Sequence, residues 1–403
     1  MPVFRPLTLN GVTLPNRIVE SAMAEGMSDD RGFPKPALAA AYGRWSAGGV
    51  GLAITGMAHV LPGYSYTGAE IGLHDDAVVP ALREVTAAVH RHPGKIFAQL
   101  CHAPPQLPRP VAKRMGARAP SAGFDKTNLL WNQALTDGEI WSIVHAFGPA
   151  ARRAREAGFD GVQLHAAHGY LLSRFLSSRH NRRDDAWGGD FERRMAFLSE
   201  VYQDVRRAVG KDYPVTVKLN AHDGEPGGLE VDDAVEIGRR AERWGIDALE
   251  ISAGTGDVGL GVYPNKGGIP VEAGKKFLAA NFPFLKPVMP LMGPVIRRTA
   301  RTVALEEEAY FWPLARRFAD AVAIPVFTVG GVRSLTMARR ILTESKVAAV
   351  SLARPLVRQP TLPRQWAAGT LDQATCESCN LCFVQLGLGQ PLKCHSRPAA
   401  EAD

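Results

Sequence analysis

The feature that most restricts this chain is a series of eight short apolar segments, each followed by a stretch of helical character. They are Ile18-Val19-Glu20-Ser21, Gly51 to Thr55, Ile96 to Leu100, Gly161 to Leu164, Val215 to Leu219, Ala248 to Ser252, Val326 to Val329 and Ala348 to Leu352. Segments apolar throughout, rather than at alternate positions, suit parallel strands covered on both faces. Between them the spacing predicts amphipathic helices over Asp76 to His92, Gly138 to Ala157, Phe191 to Val209, Val231 to Trp244 and Glu306 to Ala321. Three of these run into Gly158, Gly210 and Gly245, the residue type that stops a helix. Eight alternations predict an α/β fold closed as a (β/α)8 barrel of the TIM type, and 403 residues accommodate one such barrel with insertions. Phe4 to Asn16, with Asn10-Gly11 between apolar residues, predicts a hairpin that caps the bottom of the barrel.

Two stretches break the rhythm. Pro104 to Thr136 follows the third strand and Ala253 to Thr302 follows the sixth; both are rich in Gly and Pro and too long for simple connectors. Their place after strands predicts that they line or cover an active site. The expected division is a barrel over residues 1–370 and a cysteine-rich extension over 371–403 that packs on it.

Composition excludes several classes. No apolar run is long enough to span a bilayer, and the N-terminus lacks a secretory leader, so a cytoplasmic protein with no membrane partner is expected. The balance of 47 basic against 40 acidic residues gives +7, spread along the chain in short clusters such as Arg152-Arg153 and Arg339-Arg340. Solvated helix faces account for these, and nucleic acid is not an expected partner. A homo-oligomer is expected. Of five cysteines, Cys101 stands alone and four lie between Cys376 and Cys394, a pattern of metal ligation rather than of a disulfide framework.

Four features fall at the C-terminal ends of predicted strands. Gly330-Gly331 after the seventh and Ala353-Arg354 after the eighth suit a phosphate, because glycine lets backbone N–H groups approach an anion and Arg adds a fork of donors. Ordinary turn glycines beside a surface arginine are the alternative. His165-Ala166-Ala167-His168-Gly169-Tyr170 follows the fourth strand: two imidazole N–H groups can hold a substrate oxygen and a phenol can deliver a proton. A zinc pair is the competing reading, but it lacks a third ligand. Lys218, at the end of the fifth strand, faces an apolar interior and needs an anionic partner, either an electron-rich ring or Glu250 on the next strand. Gln99 ends the third strand with an amide able to donate and accept at a heterocycle edge.

Together these residues describe a site for a phosphorylated, charge-accepting cofactor, and they resemble the Old Yellow Enzyme family of NAD(P)H:flavin oxidoreductases. The resemblance extends from Phe4-Arg5-Pro6-Leu7 through Asn16-Arg17-Ile18-Val19 to Arg354-Pro355-Leu356, and is most specific from His165 to Arg194, where Asn181, Arg183, Asp185, Gly188, Gly189, Glu192 and Arg194 fall on the family's pattern. It implies FMN as cofactor, NAD(P)H as reductant and an activated alkene as the small-molecule substrate. Ala22, Met23, Ala24 and Gly56 would help bind the cofactor, Gln99 and Lys218 would contact the flavin ring, and Gly330, Gly331, Ala353 and Arg354 would hold its phosphate. His165 and His168 would hold the substrate's carbonyl oxygen, and Tyr170 would protonate the α-carbon. Three departures stand out. Ala24 occupies a position where many relatives carry Thr or Cys, Ala103-Pro104-Pro105 replaces the usual Gly-Arg, and the insertion after strand six is unusually long.

Cys376-x2-Cys379-x2-Cys382-x11-Cys394 is a dense thiolate array, which by softness suits an iron–sulfur cluster or zinc. It is similar to the tetranuclear (4Fe-4S) site of flavoproteins related to trimethylamine dehydrogenase and 2,4-dienoyl-CoA reductase. Those relatives continue into nucleotide-binding domains, so a cluster in this chain implies an external electron-transfer partner or a role only in pinning the C-terminal segment, which zinc could fill equally well; reduced free thiols are the remaining alternative. The leading expectation is an FMN-dependent ene-reductase. A flavin dehydrogenase, for example of amines, that passes electrons out through a cluster is the alternative, and a metal-dependent nucleic-acid-binding protein the remote one.

Overall fold

The computed structural model describes residues 1–65, 67–126, 128–256, 271–296 and 307–396. Eight strands close a parallel barrel: β1 (Ile18–Glu20), β2 (Leu52–His59), β3 (Lys95–Cys101), β4 (Gly161–Ala166), β5 (Val215–Asn220), β6 (Ala248–Ser252), β7 (Val326–Val329) and β8 (Ala349–Leu352). Neighbours in space are neighbours in sequence, and β8 pairs with β1 to complete the ring. The (β/α)8 expectation is therefore borne out, each strand falling on its apolar segment. All residues of β1, β2, β4, β5, β6 and β8 are buried, as continuous apolar runs require.

The hairpin Leu7–Leu9 with Val12–Leu14 closes the lower end. Leu9 and Leu14 pack with Val19, Leu52, Ile54, Phe97, Ala248, Phe327 and Ala349 into a separate apolar core inside the strand ring. A larger core lies between the strands and the outer helices and takes in Phe147, Phe175, Phe197, Phe318 and Trp366.

The outer helices match the predicted periods at Phe191–Val209 and Val231–Trp244, the latter stopped by Gly245 in the left-handed conformation (φ 98°). Two begin later than their periodicity suggests. Asp76–Val78 is a 3-10 turn leading into an α-helix at Val79–His90. The helix expected from Glu306 starts at Trp312, with Glu306 itself outside the described residues. Pro80 and Pro313 explain both shifts, since proline is accommodated in a first helical turn and not further in.

The two insertions carry structure of their own. After β3 come a helix at Arg109–Met115 and a small sheet of Arg118–Ala119, Gly123–Asp125 and Leu130–Ala134. After β6, the described part of the stretch is a helix at Val271–Asn281 followed by a 3-10 segment at Pro283–Met292. Among the described residues no helix is long and apolar enough to cross a membrane.

Candidate active site

The upper end of the barrel opens into a cavity bordered by the β1 segment Ser21 to Ala24, by Gln99, His165, His168, Tyr170 and Lys218, and by the loops after β7 and β8. Strand register sets the floor. Lys218 lies opposite both His165 of β4 and Glu250 of β6, and Gln99 of β3 lies opposite Gln163 of β4. Four strands are thereby linked in one polar chain. Gln99 Nε2 donates to Gln163 Oε1 at 2.7 Å, Gln163 Nε2 donates to Glu250 Oε2 at 3.2 Å, and Lys218 Nζ reaches Glu250 Oε2 at 3.2 Å and Ser21 Oγ at 2.8 Å. Of the two partners considered for Lys218, Glu250 is thus present in the fold, and the ammonium still borders the cavity. Burial opposes ionisation of Glu250, but Lys218 and its hydrogen bonds hold its pKa below the usual carboxylate value. Glu20, also inside the barrel, goes the other way: burial, reinforced by Glu25 and Glu250, raises its pKa well above the ordinary value.

His165 and His168 meet edge to face with ring centres 5.2 Å apart, and Tyr170 lies 4.8 Å from His165. The β4 end turns tightly enough to do this because His168 adopts φ 62°, held by its backbone N–H to Asn220 Oδ1 (3.1 Å) and by Gln106 Nε2 to its carbonyl (2.7 Å). His168 Nε2 shares a 2.7 Å hydrogen bond with Ser252 Oγ. Burial pushes His168 down to about 3, helped by Lys218, and burial lowers His165 well below its usual value with His168 and Lys218 adding to the effect. Both imidazoles are therefore neutral at ordinary pH and able to donate one N–H each.

At the other end Gly330 (φ 109°) and Gly331 (φ 80°) border the cavity with Arg333 and Arg354. A Cβ at Gly331 would stand 2.6 Å from the Tyr310 ring, and one at Gly330 would meet Tyr310 and Phe311 at 2.6 and 2.7 Å. Glycine is required here by backbone conformation and by aromatic packing alike. Arg354 opens the short helix Arg354–Arg358 and donates to Asn380 Oδ1 from the C-terminal segment.

Gly56 does not border the cavity. Its N–H donates to Glu25 Oε1 at 2.8 Å, and a Cβ there would meet the Met23 carbonyl at 2.3 Å, so it backs the Ala22-Met23-Ala24 segment from behind. Glu25 also accepts from the Tyr42 hydroxyl, and burial pushes it up to about 7.

Sequence reasoning missed this Glu25–Tyr42–Gly56 support, Tyr310, Phe311 and Asn380. Asn380 could have been noticed from its place between Cys379 and Cys382; the others carry no local signal.

The C-terminal segment is tied to the barrel by Ala374 N–H to the Arg333 carbonyl (2.7 Å) and Leu392 N–H to the Glu25 carbonyl (2.7 Å), and Cys382 borders the cavity. None of its four cysteines is in a disulfide. Cys376 is raised by burial with Cys379 and Cys394 near enough to add to the effect, and burial raises Cys382 to about 11, with Cys376 and Cys379 contributing against Arg354. Among the described residues, however, no three His, Cys, Asp or Glu side chains are arranged to hold a metal ion. The array gathers in one region without forming a closed ligand set.

A cavity bordered by amide and ammonium groups on the strands, and by two guanidinium groups beside a glycine turn, suits an aromatic ring system joined to a phosphate. FMN fits this donor set. The fold and site thus define a flavin-dependent oxidoreductase barrel. Residues 2–252 match the NADH:flavin oxidoreductase / NADH oxidase family, and the chain belongs to it, the Old Yellow Enzyme family; FMN and a nicotinamide coenzyme come with that membership. It is 31% identical over 388 residues to 4,4'-dithiodibutanoate disulfide reductase of Rhodococcus erythropolis, covering 96% of this chain and 93% of the relative. It is likewise 31% identical over 378 residues to an NADH oxidase of Thermoanaerobacter brockii, covering 93% of this chain but 52% of the relative. In fold it resembles a 2-naphthoyl-CoA reductase complex (TM-score 0.83, 21% identity), covering 99% of this chain and 57% of that one. The chain thus spans about half the length of some relatives.

Proposed function

We propose that this flavin oxidoreductase reduces the C=C bond of α,β-unsaturated carbonyl compounds with NAD(P)H. The observation that carries the reading is the pair of neutral, buried imidazoles at the cavity wall with Tyr170 beside them. FMN, when bound, supplies hydride transfer between nicotinamide and substrate. Gln99 and Lys218 would hold its ring, and Gly330, Gly331, Arg333 and Arg354 its phosphate. His165 and His168 bind the substrate's carbonyl oxygen and stabilise the negative charge that grows there, each neutral ring donating one N–H. Ser252, bonded to His168 Nε2, fixes that ring's orientation. Tyr170 delivers the proton to the α-carbon.

The test separates the two half-reactions. Tyr170→Phe should slow reoxidation of the reduced enzyme by a cyclohexenone-type acceptor by roughly a hundredfold or more, the usual weight of a general acid, while reduction by NAD(P)H keeps its rate. Equal loss in both half-reactions removes Tyr170 from the proton-donor role.

The second reading, a dehydrogenase that exports electrons, draws support from the Cys376-x2-Cys379-x2-Cys382 spacing and the nearness of Cys382 to the cavity. Iron, zinc and acid-labile sulfide assays on anaerobically purified protein, read beside its visible spectrum, decide it. Stoichiometric iron with a broad absorbance under the flavin bands supports this reading, and flavin bands alone remove it.

A further inference from the structure

Met1 apart, every exposed large hydrophobic side chain among the described residues lies in the two insertions. Phe124 and Trp131 follow β3; Phe284, Val288, Leu291 and Val295 follow β6. Trp131 is 67% exposed and Leu291 78%, values unusual for such side chains in a protein surrounded only by water. Both insertions leave the barrel at the end that carries the cavity, and Arg109 bridges them. Its guanidinium lies 5.6 Å from the Phe284 ring centre, and Nη1 donates to the Asn128 carbonyl at 3.0 Å, three residues before Trp131. The helix Val271–Asn281 reaches the cavity wall through Phe277, whose ring centre is 6.0 Å from that of Phe383.

Charge says what this surface fits. From Ala273 to Ile296 the described residues hold Lys275, Lys276 and Lys286 and not one acidic residue. Lys275 has Glu272 at 2.9 Å, just outside that stretch. A second copy of the chain seated on the same patch would bring like charges together. An anionic bilayer satisfies both halves of the pattern, because apolar side chains enter the headgroup boundary while lysine and arginine stay at the phosphates.

We propose that the described parts of the two insertions form one ridge that seats the cavity end of the barrel on an anionic phospholipid surface, as a peripheral contact without a membrane span. The experiment uses the full FMN-loaded chain, floated with vesicles of phosphatidylcholine alone or mixed with phosphatidylglycerol, at low and high salt, and followed by flavin absorbance. Light scattering without lipid gives the oligomeric state. The expected result is flotation with the mixed vesicles only, weakened by salt. Replacing Lys276 and Lys286 by Ser should lower the partition coefficient roughly thirtyfold, about five- to sixfold per lysine near a charged surface. Leu291→Glu should abolish flotation, with flavin content and turnover of a soluble acceptor unchanged. Absence of flotation with mixed vesicles overturns the proposal. So does equal flotation with phosphatidylcholine alone, and so does a dimer that Leu291→Glu splits while vesicles capture nothing, which would make the ridge a self-association surface.

Discussion

Glu25 carries a prediction whose size follows from the structure. The carboxyl is fully buried behind Met23 and Ala24, accepts from the Tyr42 hydroxyl and from Gly56 N–H (2.8 Å), and is pushed up from 4.5 to about 7 chiefly by burial. A group whose folded pKa is raised contributes stability that is fully present below its unfolded value and lost as pH rises through its folded value. For this shift, about 2–3 kcal/mol of the stability present at about pH 5 disappears by about pH 8. Glu25→Gln imitates the protonated form: the amide oxygen still accepts from Tyr42 and Gly56 and no charge can appear. The variant should match the parent near pH 5 and exceed it by about 2–3 kcal/mol near pH 8. Urea denaturation at a series of pH values, taken as variant minus parent, isolates this one group from every other titration. A difference curve that stays level from pH 5 to pH 8 would show that Glu25 is ionised throughout, and the reasoning would fail.

Three other outcomes are expected. Lys218→Met leaves Glu250 buried without its cation and should cost about 3–5 kcal/mol, read by thermal unfolding, with Lys218→Arg restoring much of the loss. Gly331→Ala places a Cβ 2.6 Å from the Tyr310 ring at φ 80°, so flavin affinity should fall at least tenfold in a titration of the apoprotein with FMN, while riboflavin, lacking the phosphate, should be affected much less. Phe97→Ala, in the plug between hairpin and strands, should lose about 3–5 kcal/mol in denaturant without changing the absorbance maxima of the bound flavin.

The barrel was legible because its strands are buried on both faces and read as unbroken apolar runs; the same logic exposed Lys218, since a charge at the end of such a run has to be explained. Gln99, His165 and Tyr170 were legible because chemistry in this architecture collects at strand ends, which sequence locates well. The end of β2 was harder. Its register shifts between Ile54 and Met57, and the strand continues to His59, beyond the predicted Thr55, because Glu25 and Tyr42 brace Gly56 from outside the ring. Tyr310 against the glycine turn and Asn380 on Arg354 depend on packing between segments far apart along the chain, and no local pattern of residue types encodes that. The small sheet after β3 was hidden for another reason. Its strands are two to five residues long, below the length at which alternation becomes visible.

The polar chain from Gln99 through Gln163 to Glu250 and Lys218 also gives the barrel an electrical memory of its own interior. Gln163 does not border the cavity, yet it fixes which way the Gln99 amide faces and shares the carboxylate that sets the field of Lys218. In a dry interior such dipoles do not reorient to screen a new charge as water would. If Gln99 and Lys218 hold the flavin ring as proposed, its midpoint potential would be set partly by residues one layer beneath it, and redox tuning would be a property of the barrel wall as well as of the pocket lining.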